Sequence, residues 1–212
     1  MRFLLHNPNS NAALTADLAK ALGERLGPGD VLGAETAAGA PAYIGSEETI
    51  IAARQGLAEV LPRGATATDA IIVGCFGDLR LGELQRAATM PILSFWDAYL
   101  LGAAETAERF GIVTTSAFWV ERMRDDAERA GVGDRTIIRA IDVPPTSPAV
   151  ELAAAIGRAA QGLQQEGADL LVLGGAILMA AAPKLVPDGM QVVDLYAASL
   201  RFGRTGKRFI TP

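Results

Sequence analysis

The chain of 212 residues contains one cysteine and one histidine. A single cysteine excludes an intrachain disulfide, and one histidine beside one cysteine is a poor basis for a soft-metal site. No apolar run approaches the roughly 18 residues that suggest a spanning helix. The apolar start, Phe3-Leu4-Leu5, is too short for a signal-peptide core and is cut by Asn7-Pro8. Basic charge is not in excess: the net charge is -5, so the basic stripe that nucleic acid requires is missing. A small anionic substrate stays compatible with that charge, because a local site can oppose the global one. Together these absences predict a soluble cytoplasmic protein with no structural metal, no nucleic-acid partner and no membrane span.

Hydrophobic residues make up 50% and charged residues 20%, which suits one large domain or two lobes of about 100 residues each. Strand patterns at Arg2–His6, Val31–Thr36, Asp69–Gly74, Pro91–Ser94, Phe110–Thr114, Thr136–Ile141, Asp169–Leu173 and Gln191–Val193 alternate with helical ones. The first helix carries Leu14, Leu18, Leu22 and Leu26 at a spacing of four, capped by Ser10 or Asn11. Ser46, with Glu47 and Glu48 after it, resembles the start of a capping box for a helix running towards Leu61. Further helices are predicted at Leu81–Ala88, Trp96–Glu108, Phe118–Ala130, up to Glu166 after the Pro-rich loop Val143–Pro148, briefly after Ala176, and through Leu200. The class is therefore α/β with largely parallel sheets.

The chain is organised around Ile71-Ile72-Val73-Gly74-Cys75-Phe76-Gly77-Asp78, a buried-strand pattern that ends in glycines around the one thiol. Open α/β sheets place their ligands at such carboxyl strand ends. The pattern recurs as Leu171-Val172-Leu173-Gly174-Gly175-Ala176, with glycine in place of cysteine. Thr68–Gly74 aligns with Ala168–Gly174, and Arg2–Leu5 with Arg109–Ile112, in the same order. Two buried strands also look alike by chance, but the kept order favours two similar lobes, 1–94 with 195–212 and 95–194, facing each other across a cleft. Small-molecule sites favour such interfaces.

Cys75 admits two readings. A lone cysteine is often a small buried hydrophobe, whereas at a strand end with nearby backbone N–H groups a thiolate is stabilised. An ordinary thiol, with a pKa of about 8.5, is only slightly ionised at neutral pH, and a modest downward shift makes it a useful base or nucleophile. Asn7, Asn9, Ser10, Thr114, Thr115 and Ser116 form two polar strand-end turns. Turn and cap chemistry explains them; across a cleft they also form a cradle for a carboxylate or enolate oxygen. His6 reads as a packed strand histidine, and Gly203-Arg204-Thr205-Gly206-Lys207 as a basic surface turn that lacks phosphate-loop spacing.

Asn7-Pro8-Asn9-Ser10, Gly74-Cys75-Phe76-Gly77-Asp78 and Gly111-Ile112-Val113-Thr114-Thr115, in that order, resemble the aspartate/glutamate racemase superfamily, most of all its hydantoin and allantoin racemase branch. Gly39-Ala40-Pro41-Ala42-Tyr43-Ile44 is similar to that branch's substrate loop, and Gln191-Val192-Val193-Asp194 to its final strand. The resemblance implies two Rossmann-like lobes with parallel sheets and pseudo-twofold symmetry, an active site in the cleft, no cofactor, a small-molecule substrate and a homo-oligomer. In such enzymes a cysteine from each lobe flanks the carbon acid, one removing a proton and the other delivering one to the opposite face. Carried across, Cys75 is the first cysteine. Asn7, Pro41, Tyr43, Phe76, Gly77, Thr114, Thr115, Gly174, Gly175 and Ala176 fall at substrate-binding positions.

The family's second cysteine falls at Gly175, which has no side chain. Leu79-Arg80 stands where the racemases tend to have Pro-Gly, and Ser94–Tyr99 is bulkier than their helix start. The resemblance therefore points to a one-thiol isomerase or lyase acting on a small carboxylate or cyclic amide. Decarboxylases of the superfamily manage with one cysteine, in the other lobe, and its maleate isomerases use the first-lobe cysteine as a nucleophile but, like the racemases, keep a second one. Two alternatives stand beside this expectation: a racemase whose second acid is a water or Tyr43, and a disarmed small-molecule binding protein.

Overall fold

The computed structural model of the protein describes residues 1–64, 68–144, 146–181 and 187–207. Short apolar runs become strands, and segments with apolar residues three and four apart become helices, in strict alternation. The order is β1 (Arg2–Asn7), α1 (Ala12–Gly23), β2 (Val31–Thr36), α2 (Glu47–Gly64), β3 (Ala70–Val73), α3 (Gly82–Ala87), β4 (Ile92–Ser94), α4 (Phe95–Thr106), β5 (Phe110–Thr114), α5 (Ala117–Arg129), β6 (Thr136–Ala140), α6 (Ala149–Gln165), β7 (Leu170–Gly174), α7 (Ala176–Ala181), β8 (Gln191–Val192) and α8 (Leu195–Thr205). A 3-10 turn at Gly133–Arg135, absent from the sequence expectations, leads into β6.

The chain divides into two compact units, Met1–Ala98 with Asp194–Pro212, and Tyr99–Val193. Each contains a four-stranded sheet, in the orders β2-β1-β3-β4 and β6-β5-β7-β8, and every strand pairing is parallel. Phe3 pairs with Ala70 in the first sheet as Phe110 pairs with Leu170 in the second. Those are the residues that the two internal alignments place in correspondence, so the repeat in the sequence is a repeat of strand register.

In the first unit α2 buries Ile50, Ala53, Leu57 and Val60, a helical stripe, while α1 buries Thr15, Leu18 and Leu22. α1 and α2 lie on opposite faces of the first sheet: Asn7 of β1 meets Thr15 of α1, while its neighbour His6 borders a cavity lined by Gln55 and Glu59 of α2. In the second unit Leu152, Ala155, Ile156, Ala160 and Leu163 of α6 pack with Val113, Leu171 and Leu173. Gly111 is required there, because a Cβ would lie 2.8 Å from Leu163 Cδ1 and 2.9 Å from Leu163 Cβ.

Several boundaries differ from the sequence expectations. α1 stops at Gly23, and Leu26 lies beyond it, because the N–H groups of Arg25 and Leu26 turn to the carbonyls of Leu22 and Gly23 and tighten the last turn. Asn11, not Ser10, caps α1, accepting the Leu14 N–H at 3.0 Å. α2 continues past Pro62 to Gly64; a proline in the last turn removes only one intrahelical bond. The basic surface turn expected at Gly203–Lys207 is corrected: α8 runs through it to Thr205 and ends at Gly206, whose φ of 66° is left-handed. The apolar face of Leu195, Ala198 and Phe202 extends the helix, and Gly203 sits 3.2 Å from the Phe3 ring, measured from where its Cβ would be. Pro145 of the Pro-rich loop lies outside the described residues.

Candidate active site

The glycine-bounded strand end places Cys75 two residues past Val73, the last residue of β3. Its N–H donates to Val73 O at 2.8 Å, a tight local turn, and Trp96 N–H in the first turn of α4 donates to its carbonyl at 3.2 Å. The start of α4 is held by a reciprocal cap: Ser94 N–H donates to Asp97 Oδ2 at 3.0 Å and Asp97 N–H to Ser94 Oγ at 3.0 Å. Cys75 is 7% exposed. Phe76 beside it is buried, its ring 5.2 Å from Phe95, which meets Tyr196 edge-on at 5.9 Å. Burial, above all, pushes the Tyr196 hydroxyl up.

β1 ends next to this turn, with Gly74 N–H donating to His6 O at 2.9 Å. Adjacent strand residues point to opposite faces of a sheet, and His6 and Asn7 do so. Asn7 is fully buried, and its Nδ2 donates to Asn9 Oδ1, Asn11 O and Thr15 Oγ1 at 3.0, 3.0 and 2.9 Å. Its amide thus builds the turn and the start of α1. Thr15 continues the network to Thr36 Oγ1 at 2.7 Å. On the other face, His6 Nδ1 lies 2.8 Å from Glu35 Oε1, beside a cavity of about 490 Å³ that Gln55 and Glu59 of α2 also line.

The segment after β2 is tied to the same strand end: Ala37 N–H donates to Asn7 O at 3.0 Å, and Ser10 N–H to Pro41 O at 3.2 Å. Tyr43 is 53% exposed. Its ring covers Gly45, where a Cβ would stand 2.3 Å from Tyr43 Cε1. Ser46 then caps α2 as expected, but its reciprocal partner is Thr49, which accepts the Ser46 N–H at 3.0 Å and donates its own N–H to Ser46 Oγ at 3.3 Å. Asn7, Pro41, Cys75, Phe76 and Gly77 are thereby gathered at one end of the first sheet.

Beyond Gly77 the loop makes an Asx turn, with Arg80 N–H donating to Asp78 Oδ1 at 2.6 Å. Leu79 and Leu81 are buried on either side, and Arg80 is forced outward with φ 54°. Left-handed backbone costs a residue with a Cβ roughly 1–2 kcal/mol. Its Nη1 meets Glu47 Oε1 at 2.7 Å, with the arginine side chain 55% exposed, and an exposed pair contributes about 0–1 kcal/mol.

In the second unit, Thr114 Oγ1 donates to Gly174 O at 3.1 Å across the β5–β7 pair. Gly175 repeats the turn of Cys75, its N–H donating to Leu173 O at 3.0 Å. A Cβ at Gly175 would meet Thr115 Cγ2 at 3.4 Å and Leu178 Cγ at 3.5 Å, both ordinary contacts. Thr114, Thr115, Gly174, Gly175 and Ala176 are thus gathered at one end of the second sheet.

Sequence reasoning missed Thr15, Thr36, Trp96 and the Ser94–Asp97 cap as supports of these strand ends. Only the cap had a local signal, Ser-x-x-Asp before an apolar run. Among the described residues no group of three or more His, Cys, Asp or Glu side chains could hold a metal ion. No helix there is long and apolar enough to cross a membrane.

Residues 4–202 match a family model described as Asp/Glu/hydantoin racemase. A hydantoin racemase of Paenarthrobacter aurescens is 26% identical over 211 residues, covering 95% of this chain and 89% of that protein. An allantoin racemase from Klebsiella pneumoniae superposes with a TM-score of 0.86 at 23% identity, covering 97% of this chain and 86% of that one. The allantoin racemase from Pseudomonas fluorescens gives 0.81 at 21%, covering 100% and 97%. At these identities the two structures establish a shared fold.

Proposed function

The chain belongs to the Asp/Glu/hydantoin racemase family, and from that membership we propose that it is a one-thiol isomerase or lyase whose acid/base or nucleophile is Cys75. Its substrate in this reading is a small carboxylate or cyclic amide. The observation that carries the proposal is the matched pair of turns: Cys75 after β3 and Gly175 after β7 make the same N–H to carbonyl bond, to Val73 and to Leu173. One turn presents a thiol and the other presents nothing.

A carbon acid that loses a proton, or CO2, leaves an enolate or enediolate that is protonated on whichever face an acid stands. With one thiol, proton delivery is one-sided, which suits a lyase or an isomerisation through a covalent adduct and opposes two-base racemisation. Asn7 holds the turn that sets the end of β1 beside Gly74–Cys75. The Thr114–Thr115 turn and the backbone N–H groups after β7 are the proposed anchors for substrate oxygens. Relatives named hydantoin and allantoin racemase, and the Asp/Glu racemases of the wider family, support that substrate class.

The test is Cys75→Ala and Cys75→Ser, assayed by NMR for solvent deuterium incorporation and turnover over a panel of 5-substituted hydantoins and substituted malonates. Removing a general acid–base group costs about 10²–10⁴ in rate. Turnover that survives Cys75→Ala at the wild-type rate sinks the proposal.

A further inference from the structure

We propose that Arg80 is a specificity-determining residue that selects anionic substrates, by presenting one edge of its guanidinium to a substrate carboxylate at the rim of the Cys75 loop. The inference rests on the placement of the reaction at Cys75. Its first support is the backbone. Arg80 lies five residues after Cys75 in a left-handed conformation, φ 54°, at a position that glycine fills without strain. The buried side chains of Leu79 and Leu81 pin the loop on both sides, and the Asp78 carboxylate holds the Arg80 N–H. The loop holds residue 80 outward, and a long cationic side chain stands on an unfavourable backbone.

The second support is what the side chain does. Its Nη1 contacts Glu47 Oε1 at 2.7 Å, and the two side chains are 55% and 44% exposed. An ion pair of that exposure does not offset the backbone cost, so local stability gives no reason for an arginine. The contact does orient it. Glu47 opens α2 directly after the segment that carries Pro41 and Tyr43, so the pair bridges that segment and the Cys75 loop. With Nη1 on Glu47, the Nε–Nη2 edge is left for a second acceptor, and two parallel N–H donors on a planar fork match a carboxylate. The structure thus offers a bidentate carboxylate contact on a loop that starts at the thiol, in a protein whose overall charge is negative.

The experiment measures binding without turnover, so it is read independently of whether Cys75 is catalytic. Isothermal titration follows methylmalonate, a small dicarboxylate, and 5-methylhydantoin, uncharged at neutral pH, into the wild type, Arg80→Gly and Arg80→Lys. Arg80→Gly is expected to weaken methylmalonate at least 10-fold, to leave 5-methylhydantoin within 2-fold, and to keep or raise the melting temperature because glycine accepts the backbone. Arg80→Lys keeps the charge but not the fork and is expected to recover only part of the loss. Methylmalonate affinity unchanged in Arg80→Gly, equal weakening of both ligands, or no methylmalonate binding by the wild type each overturns the proposal. Turnover surviving Cys75→Ala would instead overturn the catalytic reading and leave these affinities to be judged on their own.

Discussion

Gly175→Cys offers the most direct interrogation of the molecule, because it asks whether the turn at Gly175 has room for a thiol and what chemistry one there would add. A Cβ at residue 175 has Thr115 Cγ2 at 3.4 Å, Leu178 Cγ at 3.5 Å and Leu178 Cδ1 at 3.7 Å, and the residue is not among the glycines of positive φ. Gly175 O accepts the N–H groups of Leu178 and Met179, both at 3.1 Å, so it occupies the cap position of α7. Replacing a cap glycine loses a few tenths to about 1 kcal/mol, and reduced freedom of the unfolded chain returns about 0.4–1 kcal/mol. The net effect is expected within about 1 kcal/mol, or about 4 °C in a chain of this length.

Gly111→Ala is the control. Leu163 Cδ1, Cβ and Cγ stand at 2.8, 2.9 and 3.1 Å from the added carbon. The Cβ is anchored to the α6 backbone, so helix and strand must part, at about 2–3 kcal/mol, roughly 4–12 °C. Calorimetry compares the two variants; NMR then follows deuterium exchange, and polarimetry the loss of optical rotation, for one enantiomer of 5-methylhydantoin. In Gly175→Cys a gain in racemisation of about 10²-fold is expected, the size of one general acid–base contribution. A melting loss as large as that of Gly111→Ala refutes the packing argument. Wild-type protein that racemises the hydantoin as fast as Gly175→Cys refutes the one-thiol reading.

Other outcomes follow from the same geometry. Asn7→Ala leaves Thr15 and the turn carbonyl of Asn11 without their amide partner in a buried place, and is expected to lower stability by about 1–3 kcal/mol in urea denaturation. The carboxyl of Asp69 is held below its ordinary value by the Arg2 backbone N–H first and the Arg2 side chain second. With the folded pKa lowered, the unfolded chain takes up the proton first, so this contribution is complete above about pH 4 and is lost as pH falls through the folded value. The denaturation midpoint is therefore expected to be level near neutral pH and to fall below about pH 4, with a shallower fall in Asp69→Asn.

Much of this fold was legible because its signals are local. The apolar runs of β3 and β7, the leucine spacing of α1 and the two internal alignments needed only neighbours in sequence to be read. The ends of elements were less legible. α8 overran the expected surface turn because Phe202 is buried and Gly203 lies against Phe3 and Ala70, far away in the sequence, and α1 fell short of Leu26 because two N–H groups turned to nearer carbonyls. At the candidate site, the strand-end positions of Cys75 and Gly175 could be read from glycines after apolar runs. The engagement of the Asn7 amide with Thr15, and the pairing of Arg80 with Glu47, could not.

The amino-acid sequence by itself determined the α/β class, the duplicated register, the single thiol and the glycine at residue 175. Periodicity and residue identity are properties of the chain before it folds. Only the tertiary structure decided that a side chain fits at Gly175 and not at Gly111, and that Arg80 stands outward on a strained turn against Glu47. Those outcomes depend on distances of a few tenths of an ångström between residues far apart in the chain, and packing alone sets such distances.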